Sequence, residues 1–342
     1  MSHVWFVPVA VAVSFLLTAA LRKYAISRNL MDLPNARSSH VIATPRGGGA
    51  AIVLAFILSM VFLYVEGLIS SKVFFANAGA GVAIALIGFM DDHGHIAARW
   101  RLLGHFAAAS WLLGWVGGLP AIELFGDHVD LGWAGHVLSV FYLVWLLNLY
   151  NFMDGIDGIA SVEAICACMG ACLLYWLAGA ESMIWGPLLL AASVAGFLYW
   201  NFPPAKIFMG DAGSGFLGIM LGGLSLQAAW VNPSMLWGWF ILLGVFIVDA
   251  TFTLLRRLLR GDKVYEAHRS HAYQFASRRF GNHLPVTVAV GAINLLWLLP
   301  ISIGVTQFGL NPILGVFLAY APLVVLAIKF HAGELESPMF KN

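Results

Sequence analysis

Charge is what this sequence has least of. Only 10% of its 342 residues are Asp, Glu, Lys or Arg, against about a quarter in an ordinary soluble domain. Hydrophobic residues make up 61% of the chain, with 13 Trp and 24 Phe. One soluble core cannot hold that much apolar surface, and a bilayer is the simplest solvent for it. Cysteine is scarce too. Cys166, Cys168 and Cys172 share one apolar stretch with no His or fourth Cys beside them. That argues against a zinc site and a disulfide scaffold, and leaves them as small packing residues. No GxxxxGK[ST] occurs, so there is no Walker A loop. No internal repeat is visible. The first apolar run ends in Leu21-Arg22-Lys23 without a small-residue cleavage site, so it is expected to remain as a span.

What is present is a series of eleven apolar runs, at about 3–21, 48–66, 72–90, 101–119, 133–150, 159–179, 183–201, 213–230, 235–255, 286–304 and 311–330. Each is near the length a helix needs to cross roughly 30 Å of hydrocarbon. Backbone polar groups in lipid must be satisfied within the segment, which favours helices. The expected fold is an all-α, polytopic transmembrane helical bundle of about eleven spans, forming one domain over residues 1–342. Alternating the loops puts 22–47, 91–100, 151–158, 202–212, 256–285 and the C-terminal tail on one side. With span ends included, that side collects 17 of the 18 Lys and Arg residues, and the other holds only Lys72 with Glu123, Asp127 and Asp130. The positive-inside rule makes the basic side cytoplasmic, with the N-terminus outside and the C-terminus inside.

The acidic residues collect on the same side. Asp91-Asp92 follow the third run, Asp154 and Asp157 lie in NLYNFMDGIDG (148–158), and Asp211 lies in KIFMGDAGSG (206–215). Each alone reads equally well as a solvated helix cap. Together they read differently, because carboxylates are costly near a bilayer and neighbouring ones repel. A divalent cation relieves that repulsion. Mg²⁺ takes only one or two carboxylates with waters and phosphates, so the remaining acids are left as base, orienter or nucleotide contact. Gly155, Gly158, Gly210, Gly213 and Gly215 flank these acids and suit tight turns and close approach to an anion. Asp249, inside the ninth run, is expected to face protein or water.

Most arginines of the largest basic loop read as topology and head-group contacts. His268 and His271 are spaced i, i+3 and would share a face if helical. Such a pair suits diphosphate binding or proton transfer. Ser38-Ser39-His40 through Thr44-Pro45-Arg46-Gly47-Gly48-Gly49 reads as an anion-friendly loop entering the second run.

In order and spacing, these motifs resemble the polyprenyl-phosphate N-acetylhexosamine-1-phosphate transferases of the MraY/WecA type, glycosyltransferase family 4, over about residues 40–275. The resemblance rests on Asp91-Asp92, the NxxNxxDGxDG run from Asn148 to Gly158, Phe208-Met209-Gly210-Asp211 with Gly213-Ser214, the histidines at 268 and 271, and Thr44-Pro45 to Gly49. It implies transfer of sugar-1-phosphate from a UDP-N-acetylhexosamine to undecaprenyl phosphate, with release of UMP. It implies Mg²⁺, with Mn²⁺ as an alternative, held by Asp211 and Asn151. Asp91 or Asp92 would be the base or orienter. Asn148, Asp154 and Asp157 would line the nucleotide and metal region, Phe208 would stack on uracil, Arg46 would bind substrate, and His268 and His271 would hold the donor diphosphate. The expected setting is the bacterial cytoplasmic membrane, with membrane lipids as partners, no nucleic acid, and a homodimer as one open oligomeric state.

Two departures bear on the donor. His268-Arg269-Ser270-His271 replaces a run of adjacent histidines, and His93-Gly94-His95 stands where the peptidoglycan enzyme carries a Lys shortly after the acid pair. Both point away from UDP-N-acetylmuramoyl-pentapeptide and toward the WbpL-like branch that initiates O-antigen. The rival readings are a multispan transporter, a peptidoglycan-precursor enzyme, and a CDP-alcohol phosphotransferase. Polar residues gathered in loops on one side weigh against the first. Ile159-Ala160-Ser161 after the second DG, with no Arg, weighs against the last.

Overall fold

The computed structural model describes residues 3–34, 39–40, 42–94, 96–124, 126–263 and 268–335, with His93 described by its backbone alone. Ser38 and His95, which the sequence places in two of its motifs, lie outside the described residues.

The chain is mostly helical. Its helices are α1 (Phe6–Ser27), α2 (Gly49–Val65), α3 (Ser71–Gly94), α4 (Ala98–Val116), α5 (Gly132–Met153), α6 (Ile159–Leu177), α7 (Trp185–Asn201), α8 (Asp211–Ala229), α9 (Pro233–Leu242), α10 (Gly244–Leu259), α11 (Ala272–Phe280), α12 (Leu284–Ile293), α13 (Leu299–Gln307) and α14 (Pro312–Lys329). A π-helical turn, Asn294–Leu298, joins α12 to α13. Two short antiparallel pairs complete it: β1 (Met31–Asp32) with β2 (Thr44–Pro45), and β3 (Ile122–Leu124) with β4 (Asp127–Val129).

Each of the eleven predicted runs is helical. Among the described residues, eight helices are long and apolar enough to cross a membrane, or nine if α9 and α10, bent by 70° at their junction, form one span. α2 is apolar but only 17 residues long. α12 through α13 form one continuous 24-residue candidate.

α8 is the axis of the bundle. Its whole apolar length is buried, and it packs against α2, α3, α4, α5 and α9. Lipid tails are as apolar as leucine, so close van der Waals packing holds such helices together more than water exclusion does. Polar side chains add ties. Trp239 Nε1 donates to the Tyr175 hydroxyl at 2.7 Å, and Gln227 Nε2 donates to Asn77 Oδ1 at 3.1 Å. Large apolar side chains such as Leu16, Trp133, Phe141, Leu296 and Phe317 point outward. An apolar exterior of this kind marks a lipid face. Cys168 and Cys172 are buried and all three cysteines are free, as packing residues should be.

Candidate active site

The site is built around the first turn of α8, which Asp211 opens. Gly88 of α3 brings the two helices together, since a Cβ there would sit 2.5 Å from the Ala212 nitrogen. Gly210 takes a left-handed φ of 78°, and a Cβ on it would lie 2.9 Å from Asp92 Oδ2. This close approach separates the paired acids. Asp92 Oδ1 and Oδ2 face the Asp211 and Ala212 amides at 3.4 and 3.5 Å, at the positive end of the α8 dipole. Asp91 turns away, accepts the Ile96 amide at 2.8 Å and ion-pairs with Arg101. Arg101 also reaches to 3.8 Å from Asp211 Oδ2. The repulsion expected within the pair is therefore relieved differently at each member.

Asn151, near the end of α5, donates through Nδ2 to Asp211 Oδ1 and Ser214 Oγ, both at 2.9 Å. In this arrangement it orients the carboxylate and turns its amide nitrogen, not its oxygen, toward Asp211. Asp154 follows α5 in the turn to α6. Burial pushes its carboxyl well above the usual carboxylate range, and the nearby Asp211, Asp157 and Asp92 push the same way. Asp92, Asn151, Asp154, Asp157, Asp211 and Ser214 line one polar cavity of about 180 Å³, together with Arg46, Phe208, His40 and His283.

Asp157 serves mainly as a fastener. Its Oδ2 accepts the Ala205 amide at 2.9 Å, its carbonyl accepts the Thr287 hydroxyl at 2.8 Å, and its Oδ1 lies 3.2 Å from His283 Nδ1. His283 Nε2 lies 3.1 Å from the Ser39 carbonyl. Asp157 and His283 together thus tie three segments. Burial opposes a charged imidazole, but the hydrogen bond and charge of Asp157 outweigh it and raise the His283 pKa.

The entering loop departs from its anion-binding reading. The Gly48 and Gly49 amides donate to the Phe208 and Met209 carbonyls at 2.9 and 2.8 Å, so they are spent on holding the Phe208 loop. Arg46 does reach the cavity, where its guanidinium donates to the Asp92 carbonyl. Asn148 lies one layer deeper than expected, in a crevice of about 20 Å³ with Arg101, His105 and Asp211. His268 and His271 do not share a helix face. His271 is the N-cap of α11 and His268 precedes it, yet their rings meet at 4.9 Å. Neither lines the acid cavity. Asp249 faces protein: its two oxygens accept the Ala272 and Tyr273 amides at 2.9 and 3.0 Å and hold the start of α11. Tyr273 in turn donates to the Phe152 carbonyl at 2.9 Å, which joins the histidine segment to the 151–158 loop.

Sequence reasoning missed His283 and the Arg101–Asp91 pair. A lone His ahead of an apolar run carries no local pattern, and its partner Asp157 is 126 positions away.

The donor set is hard oxygen. Among the described residues no three His, Cys, Asp or Glu converge as a ready cage. Hard oxygen donors suit an ion such as Mg²⁺, which takes one or two carboxylates and completes its shell with water and substrate phosphate. Asp211, with Asp92 or Asp154, has the chemistry to hold it.

Apolar helices in this number, with an acid-lined polar cavity at their loop ends, define a multi-pass membrane protein. Residues 74–229 match the profile of glycosyl transferase family 4. A decaprenyl-phosphate N-acetylglucosaminephosphotransferase of Mycolicibacterium smegmatis is 30% identical over 302 residues, covering 76% of this chain and 73% of that protein. A probable undecaprenyl-phosphate N-acetylglucosaminyl 1-phosphate transferase of Bacillus subtilis is 29% identical over 264 residues, covering 75% and 72%. A phospho-N-acetylmuramoyl-pentapeptide-transferase of Moorella thermoacetica is 31% identical over 237 residues, covering 64% and 73%. The chain belongs to glycosyl transferase family 4.

Proposed function

We propose that the protein transfers N-acetylhexosamine-1-phosphate from a UDP-sugar to undecaprenyl phosphate and releases UMP. The observation that carries this reading is the convergence of Asp92, Asn151, Asp154 and Asp211 on one cavity at the α8 N-terminus, in a chain of this family. The relatives named for N-acetylglucosamine transfer to lipid phosphates support the donor and acceptor classes. The motif departures support a UDP-N-acetylglucosamine-like or deoxygenated donor and a role in starting O-antigen or related surface polysaccharide. The charge distribution supports eleven spans, an outside N-terminus, and a site on the cytoplasmic face of the bacterial cytoplasmic membrane.

Both reactants are anions, so charge neutralisation and alignment are what the site must provide. Mg²⁺, or Mn²⁺ in its place, supplies neutralisation of the diphosphate when bound, with Asp211 as its main ligand. Asn151 and Arg101 fix the Asp211 carboxylate. Asp92, facing the cavity, orients the lipid phosphate and takes any proton it carries. A phosphate oxygen of the lipid then bonds to the sugar-bearing phosphorus, the bond from that phosphorus to the bridging oxygen breaks, and UMP leaves with that oxygen. Arg46, whose guanidinium reaches the cavity, contributes positive charge there. Asp211→Asn is expected to lower turnover by at least about a hundredfold while thermal unfolding stays near that of the wild type. Wild-type turnover in a well-folded variant sinks the metal assignment.

A further inference from the structure

We propose that Glu163 carries its proton in the folded protein, and that this proton closes a second hydrogen bond to Asn294. The two side chains then form a neutral acid–amide pair that fastens the α12–α13 span to α6. Glu163 lies in the second turn of α6 and is fully buried. Asn294, 2% exposed, opens the π-helical turn between α12 and α13. Asn294 Nδ2 donates to Glu163 Oε2 at 2.6 Å and to the Val290 carbonyl at 3.1 Å. Both amide hydrogens are thereby used. Both partners are acceptors, which fixes the way the amide faces, since a flipped amide would set its oxygen against two others.

Two oxygens are left over. Glu163 Oε1 and Asn294 Oδ1 are buried and have no hydrogen-bond partner. If Glu163 is ionised, both are acceptors and neither can satisfy the other. Buried polar groups are costly when unpaired, and more so in a bilayer. One proton on Oε1, directed at Oδ1, satisfies both at once. Nothing nearby favours the charge. Among the described residues no Lys, Arg or His pairs with Glu163. The titratable side chains that interact with it are Tyr150 of α5, Cys166 of α6 and Tyr320 of α14, none of them a cation. The Phe246 amide, in the first turn of α10, also faces this carboxyl. It can donate to the carbonyl oxygen of a neutral acid as well as to a carboxylate. The pair matters to the fold because α6 starts directly after the Asp154–Gly158 turn. A fixed tie in its second turn anchors the helix that follows the acid loop.

Infrared difference spectroscopy on the full-length protein at pH 7 tests this, because a protonated carboxyl and a carboxylate absorb at different frequencies. The spectrum of the wild type minus that of Glu163→Gln is expected to contain one protonated-carboxyl band. Other buried acids, Asp154 among them, are present in both proteins and cancel. The Gln amide can make the same two hydrogen bonds, so Glu163→Gln is also expected to unfold at nearly the wild-type temperature. A carboxylate band in the difference spectrum overturns the proposal and leaves Glu163 as a charged cap on α10. Asn294→Ala provides a second test that keeps the acid and removes its partner. The same band is then expected to move to higher frequency, as a carboxyl freed from a hydrogen bond does. A band that stays in place overturns the pairing with Asn294. None of these readouts involves turnover, so they are independent of the transfer reading.

Discussion

Asp91 and Asp92 are adjacent in sequence and opposite in role. Asp92 looks into the cavity, whereas Asp91 is consumed by Arg101 and the Ile96 amide. Asp91 then acts through Arg101, which in turn leans on Asp211. If so, Asp91→Asn and Arg101→Gln remove the same support, and the double variant is little worse than either alone. A double-mutant cycle on kcat checks this, and a strictly additive result contradicts it. His268 gives a second residue-scale prediction. Burial, then the charges of His271 and Arg257, lower its pKa from 6.5 to about 3. Between those values the unfolded chain binds more protons than the folded one, so this residue's contribution to stability is present above about pH 6.5 and lost as pH falls. Thermal unfolding at pH 7 and pH 5 is therefore expected to show a smaller acid loss in His268→Gln than in the wild type. An equal or larger loss excludes the assignment.

At the scale of elements, α11 is the part that most depends on a distant residue. Asp249 of α10 accepts both of its first amides, and Thr253 donates to the same carboxylate at 3.1 Å. Asp249→Ala should cost about 1 kcal/mol or more, as loss of a helix cap does. It should also loosen the histidine segment, seen as faster amide exchange at 271–275 with the bundle helices unchanged. Unaltered exchange there would show that α11 holds its start by other means. The apolar helices were legible in the sequence because lipid demands long runs and tolerates few charges. The acids were legible for the same reason, since a carboxylate stands out in such a chain. The bend between α9 and α10 was not, because Leu243-Gly244 carries no proline or charge to mark it. Nor was the place where α11 begins. The i, i+3 spacing of His268 and His271 would have meant a shared face only on a helix, but the carboxylate that starts the helix comes from another element and starts it at Ala272, after both. The spending of the Gly48 and Gly49 amides on the Phe208 loop is likewise a long-range pairing that a glycine-rich string cannot reveal.

For the whole molecule, two asymmetries coincide. The basic residues lie almost entirely in one set of loops, and the acid cavity is formed by loops of that same set. A soluble nucleotide sugar and a lipid phosphate held at the interface can meet only at such a surface. Single cysteines introduced at exposed positions, Lys263 on the basic side and Asp127 on the other, should react with an impermeant thiol reagent only from the cytoplasmic and outer faces respectively. The opposite labelling would invert the orientation. The reaction itself is tested most directly by nucleotide release. Purified protein is mixed with Mg²⁺, undecaprenyl phosphate and each of several UDP-N-acetylhexosamines, and UMP and UDP are quantified. The account predicts UMP, formed only when the lipid is present and with at least one of the donors. UDP in its place, or no nucleotide from folded protein with any donor, would contradict it.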